Sequence, residues 1–361
     1  MTLRGGATPG RQKTGAYSRR AVLTGAGASL ALAACARGQT TEQALAPGWT
    51  SGPDLPVRVQ EIYPAVLSGA IYVAGGLSPN AGSGPIGISD RVFALTPGAD
   101  AWRERARLPL PIHHPHLVTV EGYLYAVGGY TAENGGAWSM SRAVRLYNES
   151  RNQWSAGPDM PHPYAETVSA ELNGSLHVVT GRRPAGAANR LWADHADTNA
   201  HIVLDPAVGQ WRTAPPAPTA RNSAAGAVLA GKLHVVGGRT VTGGNTPVHE
   251  IYDPLEERWE SLAPLPEPAA GPRGAGGLAA TTLGDAIYVF GGEWFDNSGG
   301  GVYSQVWAYD AAEDRWRDAG AMPTPRHGLG AVTRDDAVHT IAGAARAGGN
   351  ETSAAVEVFR P

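Results

Sequence analysis

One short phrase, an apolar β-strand pattern that stops at glycine, recurs six times along this chain. The clearest copy is YLYAVGG, which covers residues 123–129. Its alternating β-branched and aromatic residues suit a half-buried pleated surface, and glycine permits the turn that ends the strand. The first glycines of the copies recur at a nearly constant interval, at Gly75, Gly128, Gly181, Gly237, Gly291 and Gly343. A sequence period of this kind predicts an array of similar units.

Tryptophan marks the same period. Between each glycine and tryptophan lies a strand pattern with an aromatic residue and often an acid-proline turn, such as EIYDP. The tryptophans keep nearly the same interval as the glycines, at Trp49, Trp102, Trp154, Trp211, Trp259 and Trp316. This combination resembles the kelch repeat, whose unit is a four-stranded blade. The resemblance covers Trp49 to Pro361 and implies an all-β fold, a six-bladed kelch β-propeller.

The two ends of the repeat region complement each other. Trp49 to Pro56 carries the tryptophan phrase without a preceding glycine strand, whereas the last unit ends at VEVFRP without a tryptophan strand. We therefore expect the last blade to be closed by the N-terminal strand, which removes an exposed sheet edge. In each blade the order is inner strand a, strand b ending in glycine, strand c with its aromatic residue, and outer strand d with tryptophan.

The amino terminus differs from the rest of the chain. Residues 1–35 contain five basic residues and no acid, and an Arg19-Arg20 pair precedes a weakly apolar run too short to span a membrane. The segment resembles a twin-arginine export signal. We therefore divide the chain into an export signal with a lipobox (1–35), a linker (36–48) and the propeller (49–361).

The export signal ends in LAAC, which resembles a bacterial lipobox with Cys35 as the lipidated residue. Val22 and Thr24 stand where the twin-arginine family favours Phe and Lys, so general secretion is the alternative route. We expect an exported protein of the periplasm or cell envelope, attached to the membrane only through its lipid anchor. The choice between inner and outer membrane stays open.

Composition excludes several classes of function. Cys35 is the only cysteine, so the cysteine-tyrosine cross-link of the copper-radical oxidases with kelch-type blades is impossible. Without residues 1–35 the chain keeps 24 Lys and Arg against 32 Asp and Glu, a net charge of −8. No basic face for nucleic acid is evident, so we expect no nucleic-acid partner. No phosphate loop or hydrolase motif occurs, and no cofactor is predicted.

Long connections between strands b and c are the variable parts of the units. Alternating strands bring them to the same face of the disc as the connections between blades, which we call the loop face. Trp138, Trp192 and Trp294 lie in these connections. Exposed tryptophan stacks well on sugars, so we predict that these three contact a ligand, although packing of each loop onto its own blade is an equal alternative.

Polar side chains also recur where each inner strand begins, at a similar position before the glycines in every unit. The inner strands line the axis, so we predict a ligand-binding ring at its mouth. Three arginines on one rim favour an anionic ligand, whereas arginines that tie neighbouring blades together are the structural alternative. The predicted ring consists of Glu61, His114, Glu166, Arg221, Arg273 and Arg326.

The cluster of His113, His114 and His116 suggests a metal at first sight. Pro115 interrupts it, however, and no carboxylate lies in local register. We therefore predict no metal site.

Two functions remain compatible with the sequence. The favoured one is a binding module that presents its loop face to a glycan or an envelope protein. The alternative is a sugar-active enzyme of the mutarotase, sialic acid epimerase-like, type, and no catalytic residue is assigned. That resemblance implies a Glu directly after a glycine pair and an Arg further along the chain. Here Glu293 follows the fifth pair rather than the expected fourth, and Arg239 follows the fourth.

Overall fold

The computed structural model describes residue 46 and residues 48–81, 87–133 and 138–361. The export signal, Cys35 and nearly all of the linker therefore lie outside the described residues, and the expectations attached to them stay predictions.

Six four-stranded antiparallel sheets form the blades of a β-propeller, each with strands a to d in order from the axis outward. The predicted fold class is confirmed. The strands of blades 1 to 3 are Ala65–Leu67, Ala70–Ala74, Val92–Leu95 and Arg103–Arg105; His116–Val120, Tyr123–Val127, Val144–Asn148 and Gln153–Ala156; and Val168–Leu172, Ser175–Val179, His201–Asp205 and Gln210–Thr213. Those of blades 4 to 6 are Ala225–Leu229, Lys232–Val236, His249–Asp253 and Arg258–Leu262; Ala279–Leu283, Ala286–Phe290, Gln305–Asp310 and Arg315–Ala321; and Gly330–Arg334, Ala337–Ile341, Val356–Phe359 and Trp49–Ser51.

Each connection between strands b and c is itself a two-stranded hairpin rather than an irregular loop. The six hairpins pair Leu77–Ser78 with Gly87–Ile88, Tyr130–Thr131 with Ser139–Met140, Arg182–Pro184 with His195–Asp197, Arg239–Thr240 with Gly244–Asn245, Glu293–Trp294 with Gly301–Val302, and Ala344–Arg346 with Asn350–Thr352. A single 3₁₀ turn, Trp192–Asp194, lies in the third hairpin. Among the described residues no helix is both long and apolar enough to cross a membrane.

The N-terminal strand closes the ring, as predicted. Trp49 is opposite Phe359 in an antiparallel ladder, and the Arg360 amide donates to the Gly48 carbonyl at 2.8 Å. Trp49 also packs on the Phe359 ring with centroids 4.8 Å apart. The first and last strands of the propeller therefore share one blade, which leaves no open edge between blades 1 and 6.

The repeated tryptophans bind each blade to the one before it. The indole N–H of Trp102 donates to the Pro53 carbonyl at 2.7 Å, and that of Trp154 donates to the Ala106 carbonyl at 2.8 Å. Trp211, Trp259 and Trp316 make the equivalent bonds at 2.7 to 2.9 Å. A buried indole needs an acceptor for its N–H group, and the preceding blade supplies it each time.

The repeated glycines are displaced by one residue in two units. In every unit, strand b ends in a pair of left-handed residues, and the second residue of the pair is a glycine with φ between 92° and 101°. The first residue is a glycine in four units, but it is Thr180 in unit 3 and Ala342 in unit 6. Our alignment on first glycines was therefore wrong by one residue in those two units. A Cβ on Gly129 would lie 2.6 Å from the His113 carbonyl oxygen, so close backbone approach requires glycine at the second position.

Candidate functional site

A ring of six left-handed residues surrounds the axis on the loop face, just before each inner strand. Each occupies the same position relative to the second glycine of its unit, as Glu61 does to Gly76. Their φ angles are 51° to 64°, and in five of the six steps the backbone N–H group of one member donates to the carbonyl of the member in the preceding blade at 2.7 to 3.2 Å. We call this the axial ring, and its members are Glu61, His114, Glu166, Ser223, Gly277 and Gly328.

A cavity of about 1050 Å³ opens above the axial ring on the loop face. Its floor consists of axial-ring side chains and of residues that directly follow the second glycines. Its wall consists of b–c hairpins, including that of blade 6, whose part in the site we did not predict. A cavity of this size accommodates a small molecule or a few sugar units.

Glu166 lies at the centre of a hydrogen-bonded network in the cavity floor. Its carboxylate accepts from the Tyr130 hydroxyl at 2.8 Å and from the Ser223 hydroxyl, and it faces Arg182 at 3.5 Å and Arg239 at 3.8 Å. Burial would raise the pKa of Glu166, but these cations outweigh it and lower the pKa to about 2. Glu166 is therefore ionised at neutral pH and already well supplied with donors.

Glu293 neutralises the second arginine of the floor. Its carboxylate accepts from Arg239 and, at 2.9 Å, from the Gly348 amide. Burial alone would lower the pKa of Arg239, but Glu166 and Glu293 together raise that pKa above its ordinary value. His327 Nδ1 is 3.4 Å from Glu293.

Glu61 is the most exposed of the three carboxylates in the cavity floor, with 12% of its side chain exposed against 0% for Glu166 and 4% for Glu293. His114 Nε2 is 3.0 Å from it, and the Nδ1 atoms of His113 and His114 are 2.8 Å apart. Burial would raise the pKa of Glu61, but His114 outweighs burial and holds the pKa well below its usual range. Glu61 is therefore an ionised acceptor for hydroxyl groups, backed by a chain of two imidazoles.

The structure brings six of the nine predicted ligand-binding residues to one cavity. Three of the six, Glu61, His114 and Glu166, belong to the axial ring. The remaining three that line the cavity are Trp138, Trp192 and Trp294. These side chains are close enough in the fold to share a ligand, although whether they bind one stays a prediction.

The expectation that Arg221 and Arg326 line the axial mouth was wrong. Each lies two positions before the axial-ring residue of its blade, where other blades carry residues such as Val59 and Ile112. Both arginine side chains are fully buried. Arg221 pairs with Glu250 at 2.5 Å, and Arg326 makes the equivalent pair with Glu357 at 2.6 Å. These arginines therefore hold their own blades together, whereas the structural alternative had expected them to tie neighbouring blades to each other.

Arg273 is also absent from the cavity. It is exposed, and its Nε donates to the Leu265 carbonyl at 2.7 Å, so it joins the loop that enters blade 5 to the end of blade 4. The predicted positive rim of three arginines is therefore not formed.

Six charged or titratable residues that line the cavity are not among the predicted site residues: Arg182, Arg239, Glu293, His327, Arg58 and Glu351. The first three directly follow the second glycine of their units. Each forms a backbone bridge with the residue before the axial ring, as Asn222 does with Arg239. Counting from the second glycine would therefore have identified both the axial-ring residues and the residues that directly follow the second glycines.

His116 points away from the cavity. Its ring stacks on Tyr63 with centroids 4.7 Å apart, in the axial channel of about 340 Å³. The three neighbouring histidines therefore do not converge. In the described part of the chain, no group of three or more His, Cys, Asp or Glu residues is placed to hold a metal ion.

Comparison with known proteins agrees with this architecture. A family profile described as the KLHDC2/KLHL20/DRC7 Kelch-repeats domain matches residues 114–343. The chain belongs to the kelch-repeat family. This kelch propeller is 27% identical over 348 residues to Kelch-like protein terF of Aspergillus terreus, covering 92% of this chain and 72% of that protein. It is 34% identical over 221 residues to Kelch-like protein 35 of Mus musculus, covering 61% of this chain and 34% of that protein.

The solved structure of YjhT resembles the kelch propeller with a TM-score of 0.69. The alignment covers 86% of this chain and 100% of that chain at 19% sequence identity. At that identity the likeness shows a common fold and no more.

Proposed function

We propose that this kelch propeller is a binding module that takes a glycan into the loop-face cavity. The observation that carries the proposal is the cavity itself, in which an ionised floor lies beneath three tryptophans. Sugars present hydroxyl groups at their edges and C–H groups on their faces, and a site with both charged acceptors and aromatic rings suits them. The concave shape favours a glycan over the broad surface of an envelope protein, which is the other partner compatible with the loop face.

We also propose that the propeller works outside the cytoplasm on a lipid anchor at Cys35. The support is the sequence of residues 1–35 alone. Residues 36–48 would then tether the propeller to the membrane, where envelope glycans are found.

A glycan array probed with the full chain tests the binding proposal. We expect a restricted set of bound glycans, and we expect Trp294→Ala to weaken each of them by about tenfold through loss of stacking. Trp307→Ala is the matched control, because Trp307 is half-buried on strand c of blade 5 and does not line the cavity. Equal binding by the two variants would exclude Trp294 as a contact of the glycan, and an array without bound glycans would exclude the function.

A mutarotase-type activity is the second candidate, and two contacts favour it. Glu61 and His114 place a carboxylate and an imidazole 3.0 Å apart at the cavity floor. Arg239 belongs to the fourth repeat unit and Glu293 to the fifth, and the two side chains are in contact across neighbouring blades. Acid-base groups in one site can move the proton that sugar anomerisation requires.

Exchange between sugar anomers, followed by NMR on any glycan from the array, separates the candidates. Faster exchange with the wild-type chain than without protein, lost in Glu61→Gln, would support an enzyme. Binding without faster exchange would leave the binding module as the function.

A further inference from the structure

Among the described residues, Arg182 leaves more of its donors without an acceptor than the other fully buried arginines Arg221 and Arg326. Arg326 donates five hydrogen bonds from its three nitrogens, to three carbonyls, one hydroxyl and one carboxylate. Arg182 is equally buried, with 1% of its side chain exposed, yet its Nε and Nη1 have no acceptor among the described residues. Buried charged donors without acceptors are costly, so this pair of open donors requires an explanation.

Arg182 lies in the floor of the loop-face cavity. Arg182 directly follows Gly181 and lines the cavity beside Glu166 and Trp192. The guanidinium carbon is 3.3 Å from the centroid of the Trp192 ring. Stacking occupies the face of the guanidinium and leaves its edge, where the N–H groups point, available for hydrogen bonds. Trp192 therefore fixes the orientation of Arg182 without using its donors.

Glu166 offsets the charge of Arg182 without satisfying its hydrogen bonds. The distance from Nε to the carboxylate is 3.5 Å, and this contact does not qualify as a hydrogen bond. The Glu166 oxygens are already taken by the hydroxyls of Tyr130 and Ser223. The neighbouring Arg239, in contrast, is bound to Glu293. Arg182 is thus the floor arginine with two donors that no described acceptor uses.

We propose that Arg182 is an oxyanion subsite of the cavity, and that the bound glycan carries a carboxylate or sulfate group there. The inference rests on the proposed glycan-binding function and specifies the ligand class. A planar fork of N–H donors fits two oxygens of one such group, and charge-assisted bonds of this kind are stronger than those to a neutral hydroxyl. This basis differs from the three-arginine rim, which the fold does not form.

The test is a glycan array that carries matched pairs, each a neutral glycan and its uronate or sulfated counterpart on the same linkage. We expect the wild-type full chain to prefer the acidic member of its bound pairs by about tenfold or more, as one charged hydrogen bond allows. In Arg182→Gln the preference should fall to about twofold or less. The uronate and sulfate arms identify which oxyanion the site takes.

Two further variants keep the result interpretable. Arg190→Gln removes one positive charge from an exposed residue of the third hairpin that does not line the cavity, so it should retain the acidic preference. Arg182→Lys retains the positive charge that faces Glu166 but lacks the planar fork of N–H donors, so it should lose the preference for acidic glycans. This variant provides the test if Arg182→Gln does not fold.

Three outcomes would overturn the inference. Equal preference for neutral and acidic glycans in the wild type, with binding intact, would mean that water satisfies Arg182, and the proposed function would stand. Equal loss in Arg190→Gln and Arg182→Gln would indicate general electrostatics. An array without bound glycans would remove the proposed function together with the inference.

Discussion

Two buried histidine pairs should make this propeller sensitive to mild acid. In blade 4, His234 Nδ1 is 2.9 Å from His249 Nε2, and His249 Nδ1 is 3.3 Å from the Ala263 carbonyl. A carbonyl only accepts, so His249 donates through Nδ1 and its Nε2 accepts from His234. A proton added to that Nε2 would face the N–H group of His234. Blade 3 repeats the arrangement with His177 and His201 at 2.8 Å.

The magnitude follows from the pKa shifts. Burial, reinforced by the neighbouring imidazole, lowers the pKa of His234 to about 3, and burial lowers the pKa of His249 to about 4. Both values lie below 6.5, so the unfolded chain takes up protons first as the pH falls, and stability is lost between about pH 6.5 and about pH 3. From pH 7 to pH 5 each histidine costs about 2 kcal/mol, and the pair about 4 kcal/mol.

The double variant His234→Tyr with His249→Val removes the titrating pair and replaces it with a pair of side chains that another blade of this propeller already packs. Tyr288 and Val306 occupy the equivalent positions in blade 5. Urea unfolding at pH 7 and pH 5 should show that the variant loses about 4 kcal/mol less stability than the wild type over this interval. Ordinary carboxylates remain ionised throughout this range.

His162→Gln is the control, since His162 is exposed, and its loss between the two pH values should equal that of the wild type. If the double variant and the wild type lose the same free energy of unfolding, the paired imidazoles are not held neutral and the reasoning fails.

Three other predictions concern separate parts of the chain. Arg326→Ala should lower the free energy of unfolding by about 3 to 5 kcal/mol in urea, because Glu357 would stay buried without its cation; glycan binding lost in the folded variant would contradict its placement outside the cavity. Gly129→Ala should cost about 1 to 3 kcal/mol, because its φ of 97° and the nearby His113 carbonyl disfavour a Cβ; an unchanged urea midpoint would contradict this. Cells fed radioactive fatty acid should label the wild type and not Cys35→Ala, and equal labelling would refute lipidation.

The fold could be predicted because the repeated tryptophans and the repeated glycines each have the same structural role from blade to blade. Each tryptophan fills the outer strand, and Trp154 illustrates how the indole N–H group reaches the preceding blade. The second glycine is needed where backbone segments nearly touch. The alignment failed only where Thr180 and Ala342 adopt the left-handed conformation themselves, so that a single glycine replaced the pair.

The site was only partly predictable, because a small displacement along the chain decides whether a side chain faces the cavity or the core. Glu166 belongs to the axial ring and faces the cavity, whereas Arg221 lies two positions before the axial-ring residue Ser223 and is buried against Glu250. Polarity alone cannot separate these positions when the core contains its own ion pairs. The partnership of Arg239 with Glu293 could not be read from sequence either, since it joins two blades.

A crystal structure of the chain with its tightest array glycan tests the central claim most directly. The account predicts that the glycan lies in the loop-face cavity, with hydroxyl groups at Glu61, a sugar face on at least one of Trp138, Trp192 and Trp294, and an acidic group at Arg182. A glycan bound on the opposite face of the disc or along an outer strand would contradict the account.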